Sequence, residues 1–60
     1  MPKFRLRRRD PDAPEWLELD RVYLGEFDHE PGSDRAWLHH PDGPQAGKYV
    51  ALFEDVELVE

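Results

Sequence analysis

The sequence contains no cysteine and no threonine, and Ser33 is its only serine. Without cysteine the chain forms no disulfide bond and no thiolate metal site, which fits a reducing cytoplasm. Ser33 lies in a PGSD segment, where serine is a common turn residue, so nucleophilic catalysis has little support. These absences favour a protein that is not an enzyme, and we predict no bound cofactor.

Long apolar runs are also missing from the chain. No segment approaches the roughly 18 apolar residues of a membrane-spanning helix. The basic residues near the N-terminus are not followed by the apolar stretch of a secretory signal peptide. We therefore expect no membrane association and a cytoplasmic location.

What the chain does contain is a high proportion of aromatic residues for its size. A chain of 60 residues buries only roughly 60% of its extended surface, so its core needs large side chains. Aromatic side chains bury on the order of 150–250 Å² each. We predict one folded domain over residues 1–60, with a core drawn from Phe4, Trp16, Tyr23, Phe27, Trp37, Tyr49 and Phe53.

Charge is unevenly distributed along the chain, whose formal net charge is −6. Five bases lie in the segment KFRLRRR over residues 3–9, whereas all 14 acids lie from Asp10 onward. An anionic body repels DNA and RNA at long range. Nucleic-acid binding is therefore the alternative rather than the main prediction, and it would use Phe4 with Arg5, Arg7, Arg8 and Arg9.

Apolar residues recur mostly with a period of two, which predicts an all-β chain. Gly25 falls inside the second strand and indicates a bulge or a sharp bend. The segment FED is predicted to form a 3₁₀ turn, and PDGPQAG a wide connection. The predicted strands cover residues 3–7, 21–28, 35–40, 48–53 and 56–60, and they suit a small, strongly bent five-stranded barrel.

The order of these segments resembles that of small SH3-like β-barrel proteins of bacteriophages and prophages. The resemblance is carried by LELDRVYLGEF, by the turn PDG and by YVALFEDVELV, within residues 17–59. It implies an SH3-like fold, a role as a binding module in a bacterial host cytoplasm, and no catalytic residues. One departure is that Asp20-Arg21 stands where the family usually has Gly-Lys before the second strand.

The predicted function is binding to, and occluding, a host or phage protein. In SH3-like barrels, aromatic residues near the first long loop and the third strand can line a groove for extended peptides. The surplus of acidic residues would favour a partner with a basic surface. We expect a monomer or weak homodimer, whose candidate partner-binding residues are Trp16, Trp37, Tyr23, Tyr49, Asp10, Asp12, Glu15, Arg8 and Arg9.

Three histidines suggest a second alternative, a metal site. Zinc needs three or four ligands that converge at about 2.0–2.2 Å. His39 and His40 are adjacent in a predicted strand and so point to opposite faces, but His29 could lie across a hairpin from one of them. We expect all three to be solvent-facing strand-end residues beside turns, so the metal site is a second alternative and not the main prediction.

The basic segment KFRLRRR has a further interpretation. In an SH3-like barrel the first and last strands are neighbours, and the last strand here is EDVELVE. Pairing the two would bury Phe4 and Leu6 beside Val56 and Leu58 and set opposite charges across the strands. Residues 3–7 are therefore predicted to be structural, which would leave Arg8 and Arg9 free for a partner.

Overall fold

The computed structural model describes residues 1–59. They form a single antiparallel sheet in which the fourth, third, second, first and fifth strands of the chain lie side by side in that order. This confirms the all-β prediction. No helix among these residues is long and apolar enough to cross a membrane. The elements are β1 Lys3–Leu6, β2 Val22–Phe27, β3 Arg35–His39, a 3₁₀ turn Pro44–Ala46, β4 Lys48–Leu52, a 3₁₀ turn Phe53–Asp55 and β5 Val56–Leu58.

The five predicted strands and the 3₁₀ turn at residues 53–55 are confirmed, although each strand is shorter than predicted. The 3₁₀ turn Pro44–Ala46 was not predicted, and it lies within the expected wide connection. Strands β4 and β5 are the two edges of the sheet, so hydrogen bonds do not close it into a barrel. Glu60, predicted to end the last strand, lies outside the described residues.

Strand β2 is shared between two halves of the sheet, and the change occurs at Gly25. Its first half, from Val22 to Leu24, pairs with β1, and its second half, from Gly25 to Phe27, pairs with β3. A Cβ atom on Gly25 would lie 2.4 Å from the Trp37 carbonyl oxygen. Glycine is therefore required here by the close approach of β3. The bulge or sharp bend that the sequence indicates at Gly25 stays a prediction.

The core lies on the inner face of the bent sheet. Inward-facing residues alternate along each strand as the period of two requires. The loop between β1 and β2 contributes Leu17, which is as fully buried as Phe4 and Leu6 of β1. The buried apolar residues are Phe4, Leu6, Leu17, Tyr23, Ala36, Leu38 and Ala51.

Strands β1 and β5 pair as predicted. Phe4 lies opposite Leu58, and Leu6 lies opposite Val56. Arg5 lies opposite Glu57, with Nε 3.6 Å from Oε1. Both of these side chains are substantially exposed, so their ion pair contributes only on the order of 0.2–1 kcal/mol to the stability of the fold. Burial of the apolar residues contributes in addition. The positive charge of the first strand is thus partly balanced by the negative charge of the last strand.

Asp20 is the only non-glycine residue among the described ones with a positive φ, at 65°. Its N–H donates to the Leu6 carbonyl at 2.7 Å, and the Leu6 N–H donates to the Arg21 carbonyl at 3.1 Å. These bonds extend the contact between β1 and the segment that leads into β2. Asp20 therefore has a backbone conformation that favours glycine, at the position where the resemblance expects one.

We expect Asp20→Gly to stabilise the fold and Asp20→Ala to destabilise it, with a span of about 1–2 kcal/mol between the two variants. The Asp20 side chain is exposed, so the backbone conformation dominates the effect. Urea denaturation of both variants measures the difference. Glu15→Gly, at an exposed loop position with negative φ, is the control and should be destabilising. Equal losses for Asp20→Gly and Asp20→Ala would contradict the backbone explanation.

Candidate protein-binding surface

Arg9 organises the loop that joins β1 to β2. Its Nε donates to the Leu17 carbonyl at 2.7 Å. One terminal nitrogen, Nη2, donates to the carbonyls of Ala13 and Pro14, both at 3.1 Å, and Nη1 donates more weakly to the Asp10 carbonyl at 3.5 Å. The prediction that Arg9 is free for a partner is therefore wrong, because the guanidinium is occupied by the carbonyls of its own loop.

Arg8, by contrast, is exposed, and no side-chain hydrogen bond or ion pair involves it within residues 1–59. Arg7 is also exposed and has no side-chain partner in the described part of the chain. Arg5 faces Glu57, Arg9 holds the loop, and Phe4 is buried. The nucleic-acid alternative stays a prediction, with Arg7 and Arg8 as its available bases.

Trp16 and Tyr23 join the same loop to the core. Tyr23 is buried. Its hydroxyl accepts the Glu18 N–H at 2.7 Å and donates to the Trp16 carbonyl at 2.9 Å. The half-buried Trp16 ring packs against the Tyr23 ring, with a centroid distance of 5.9 Å, and against the His40 ring at 5.0 Å. Tyr23 is therefore a structural residue, and Trp16 presents only part of its ring to solvent.

Tyr49 lies half-buried on the inner side of β4, under the acidic part of the loop. Burial raises the pKa of its hydroxyl, and the nearby carboxylates of Asp10, Asp55 and Asp12 raise it further, against the opposing charge of Arg9. Asp10 also accepts the Asp12 N–H at 2.9 Å, which fixes the loop tip. The structure thus brings Tyr49 together with Asp10 and Asp12. Glu15 is exposed elsewhere in the loop.

Trp37 lies on the outer face of the sheet, away from the core side on which Trp16 packs. It stands opposite Glu26 on β2 and Val50 on β4. Glu26 accepts from His39 at 2.9 Å and pairs with Lys48 at 3.4 Å. The hydrogen bond with His39 is the largest cause that lowers the pKa of the Glu26 carboxyl. The two tryptophans therefore do not form one shared site.

The histidines have separate surroundings. His39 is buried beside Glu26, so the expectation that it faces solvent is wrong. His40 packs on Trp16 and accepts the Asp42 N–H at 2.9 Å, and His29 is exposed in the turn after β2. Within the described part of the chain, no group of three or more histidine and acidic residues is placed to hold a metal ion. The metal alternative receives no support from this geometry.

An apolar cleft opens at the end of the inner face, and the sequence did not predict it as a site. We call it the phenylalanine cleft; it has a volume of about 220 Å³ and is lined by Phe4, Phe27, Phe53, Val56 and Leu58. Comparisons with known protein families, curated proteins and solved structures find no match to this chain.

The phenylalanine cleft is a continuous aromatic surface rather than a set of scattered residues. The Phe27 ring meets Phe4 edge to face with centroids 5.5 Å apart, and meets Phe53 at 6.0 Å. Phe4 is the buried floor, whereas Phe27 is 47% exposed, Phe53 40% and Leu58 55%. Exposed aromatic side chains that touch one another form a ready apolar contact surface.

The cleft exists because the strands end before the core is covered. Phe27 faces inward like Tyr23 but is the last residue of β2, and Phe53 follows the last residue of β4. Neither ring is covered by residues of an opposing strand. A signal was available in the sequence: inward-facing aromatics at strand ends, beside the polar turns 28–34 and 54–55, have little chain left to cover them.

Proposed function

We propose that this chain is a non-enzymatic protein-interaction module with an SH3-like arrangement of strands. Support for the fold comes from the strand order, from a second strand shared between two halves of the sheet, and from the 3₁₀ turn before β5. Asp20 adds support, because it has positive φ where the resemblance expects glycine. In this proposal a phage or prophage encodes the protein, which acts in the bacterial cytoplasm by occluding a host or phage protein.

The phenylalanine cleft is the observation that carries the functional part of the proposal. Contiguous apolar patches on small folded proteins commonly mark interaction sites. Aromatic residues also dominate the few positions that supply most of the binding energy in interfaces. Phe27 and Phe53 therefore replace the tryptophans as the proposed anchors, since both are exposed and neither is needed to fasten the loop.

The surroundings of Ser33 support the non-enzymatic part of the proposal. Its hydroxyl donates to Asp28 Oδ2 at 2.7 Å and accepts the Arg35 N–H at 3.3 Å. The hydrogen bond from Ser33 is the largest cause that lowers the pKa of the Asp28 carboxyl, so this carboxylate is a poor general base for the hydroxyl. Ser33 thus serves the turn between β2 and β3.

Affinity capture from a bacterial lysate tests the proposed module. We expect Phe53→Ser to weaken retention of a specific protein at least tenfold, the loss typical of removing a central aromatic contact. Leu19→Ser is the matched control, because Leu19 is an exposed apolar residue in the loop between β1 and β2. Trp37→Ala tests the outer-face anchor predicted from sequence. Proteins retained equally by all four forms would contradict binding through the cleft.

A further inference from the structure

Strand β5 pairs with β1 on one side, and on its other side it pairs with no strand of residues 1–59. The Arg7 N–H donates to the Asp55 carbonyl, and the Val59 N–H donates to the Lys3 carbonyl, both at 2.8 Å. In an antiparallel pair, every second residue directs its backbone groups toward the partner strand. The backbone groups of Asp55, Glu57 and Val59 therefore face β1, and those of the two residues between them face outward.

Three backbone groups on the outer side of β5 are left for another strand. The Val56 N–H donates to the Phe53 carbonyl within the 3₁₀ turn. The Val56 carbonyl and both backbone groups of Leu58 point away from β1, and β5 is an edge of the sheet within residues 1–59. Exposed edges of this kind are sites where an extended peptide can add a strand.

The side chains of β5 specify which peptide would fit. Val56 and Leu58 line the phenylalanine cleft, whereas Glu57 points to the opposite face and is 56% exposed. The segment from Phe53 to Val59 contains three acids and no base. On its paired side, this strand already contacts KFRL of β1, in which bases alternate with apolar residues.

We propose that the free edge of β5 binds an extended segment of a partner protein in which apolar residues alternate with lysine or arginine. This inference rests on the proposed function and names the partner chemistry of the same cleft. The apolar residues of the segment enter the phenylalanine cleft beside Leu58, and the base between them faces Glu57. In β1, on the other side of β5, Phe4 lies opposite Leu58 and Arg5 lies opposite Glu57 in the same way.

Charge argues against a second copy of the chain as the occupant. Symmetric pairing of two β5 strands would bring Glu57 and its acidic neighbours of one copy beside the same residues of the other. Like charges across strands are destabilising. A basic segment meets the opposite sign at Glu57, so charge complementarity favours it.

The test uses the full chain and a blocked peptide of sequence KVRVRVK at low ionic strength. We expect saturable binding by NMR titration, together with slower hydrogen exchange of the Leu58 amide, which a new strand would cover. Two control peptides, EVEVEVE and KGRGRGK, should bind at least tenfold more weakly. The same loss is expected when the peptide is N-methylated on the residues that face β5, because this change removes backbone donors and keeps the side chains.

Protein variants test the charge that Glu57 contributes. Glu57→Lys should weaken binding of KVRVRVK about tenfold, since it turns an attraction into a repulsion. Asp42→Lys makes the same charge change at a remote, exposed loop position and should alter binding by less than about twofold. Phe53→Ser should weaken binding as it weakens capture from the lysate, because the apolar residues lose a wall of the cleft.

Several outcomes would overturn the inference. Absence of binding would do so, as would binding without protection of the Leu58 amide. Protection of that amide by self-association, without peptide, would identify a second copy as the occupant. If capture from the lysate depends on Phe53 while KVRVRVK fails, only the partner chemistry is wrong. If capture does not depend on Phe53, the proposed function itself fails.

Discussion

Replacing Gly25 with alanine is expected to destabilise the fold by about 3 kcal/mol or more. The new Cβ atom would lie 2.4 Å from the Trp37 carbonyl oxygen and 2.9 Å from Cδ2 of the Phe4 ring. The carbonyl is backbone in the neighbouring strand and cannot rotate away as a side chain would. Strands β2 and β3 must therefore separate at the point where β2 passes from one half of the sheet to the other.

A loss of this size is serious for so small a domain. A folded chain of 60 residues has a free energy of unfolding of roughly 3–9 kcal/mol. Each kcal/mol lowers the melting temperature of such a domain by about 4–8 °C. Thermal unfolding followed by circular dichroism should thus show a melting temperature lower by about 12–24 °C, or no cooperative transition at all.

Gly32→Ala is the matched control for Gly25→Ala. Gly32 has φ of +78°, but a Cβ atom there would meet no atom within 4 Å. Its replacement costs backbone strain without a collision, about 1 kcal/mol. If Gly25→Ala were no more destabilising than Gly32→Ala, β2 and β3 would be able to separate locally, and the shared strand would not be a rigid part of the fold.

Local patterns explain which features of the fold were predictable. The 3₁₀ turn of FED and the alternating faces of the strands followed from residues close together, whereas the pairing of β1 with β5 was expected from the resemblance to SH3-like barrels. Side-chain alternation in a strand is fixed by backbone geometry, so it needs no knowledge of distant contacts. Closure of the sheet depends on how far β4 and β5 approach each other, which alternation does not determine.

The loop between β1 and β2 shows where prediction from sequence stops. Leu17 is buried and Leu19, two residues later, is 53% exposed, although a strand pattern would place both on one face. The segment is not a strand, so a period of two carries no information about it. Arg9 was misassigned for the same reason, since its carbonyl partners converge only after the loop has closed.

The phenylalanine cleft was missed because an inward-facing aromatic was equated with a buried one. Phe27 lies on the same face as Tyr23, as alternation along a strand requires. Burial also needs residues opposite the ring, and the number of such residues depends on where each strand ends. Strand ends are less predictable from local pattern than strand faces, so the polar turns beside Phe27 and Phe53 were a weaker signal than the inward direction of the two rings.

Arg9→Met is expected to destabilise the fold by about 1.5–3 kcal/mol. Methionine retains an unbranched apolar chain but donates no hydrogen bond. The carbonyls of Leu17, Ala13 and Pro14 would lose their guanidinium donor, and the bond to Leu17 is partly buried. Arg9→Lys should recover only part of the loss, because an ammonium group lacks the planar fork that reaches several carbonyls at once.

Arg8→Met is the control for Arg9→Met, since it removes the same charge from the neighbouring position. Arg8 has no side-chain partner among residues 1–59, so its loss should change stability by less than about 0.5 kcal/mol. Hydrogen exchange locates the effect: Arg9→Met should expose the amides of Ala13 and Leu17, which donate within the loop, before those of the sheet. Equal effects of the two variants would mean that charge, rather than the hydrogen bonds of Arg9, determines the loop's stability.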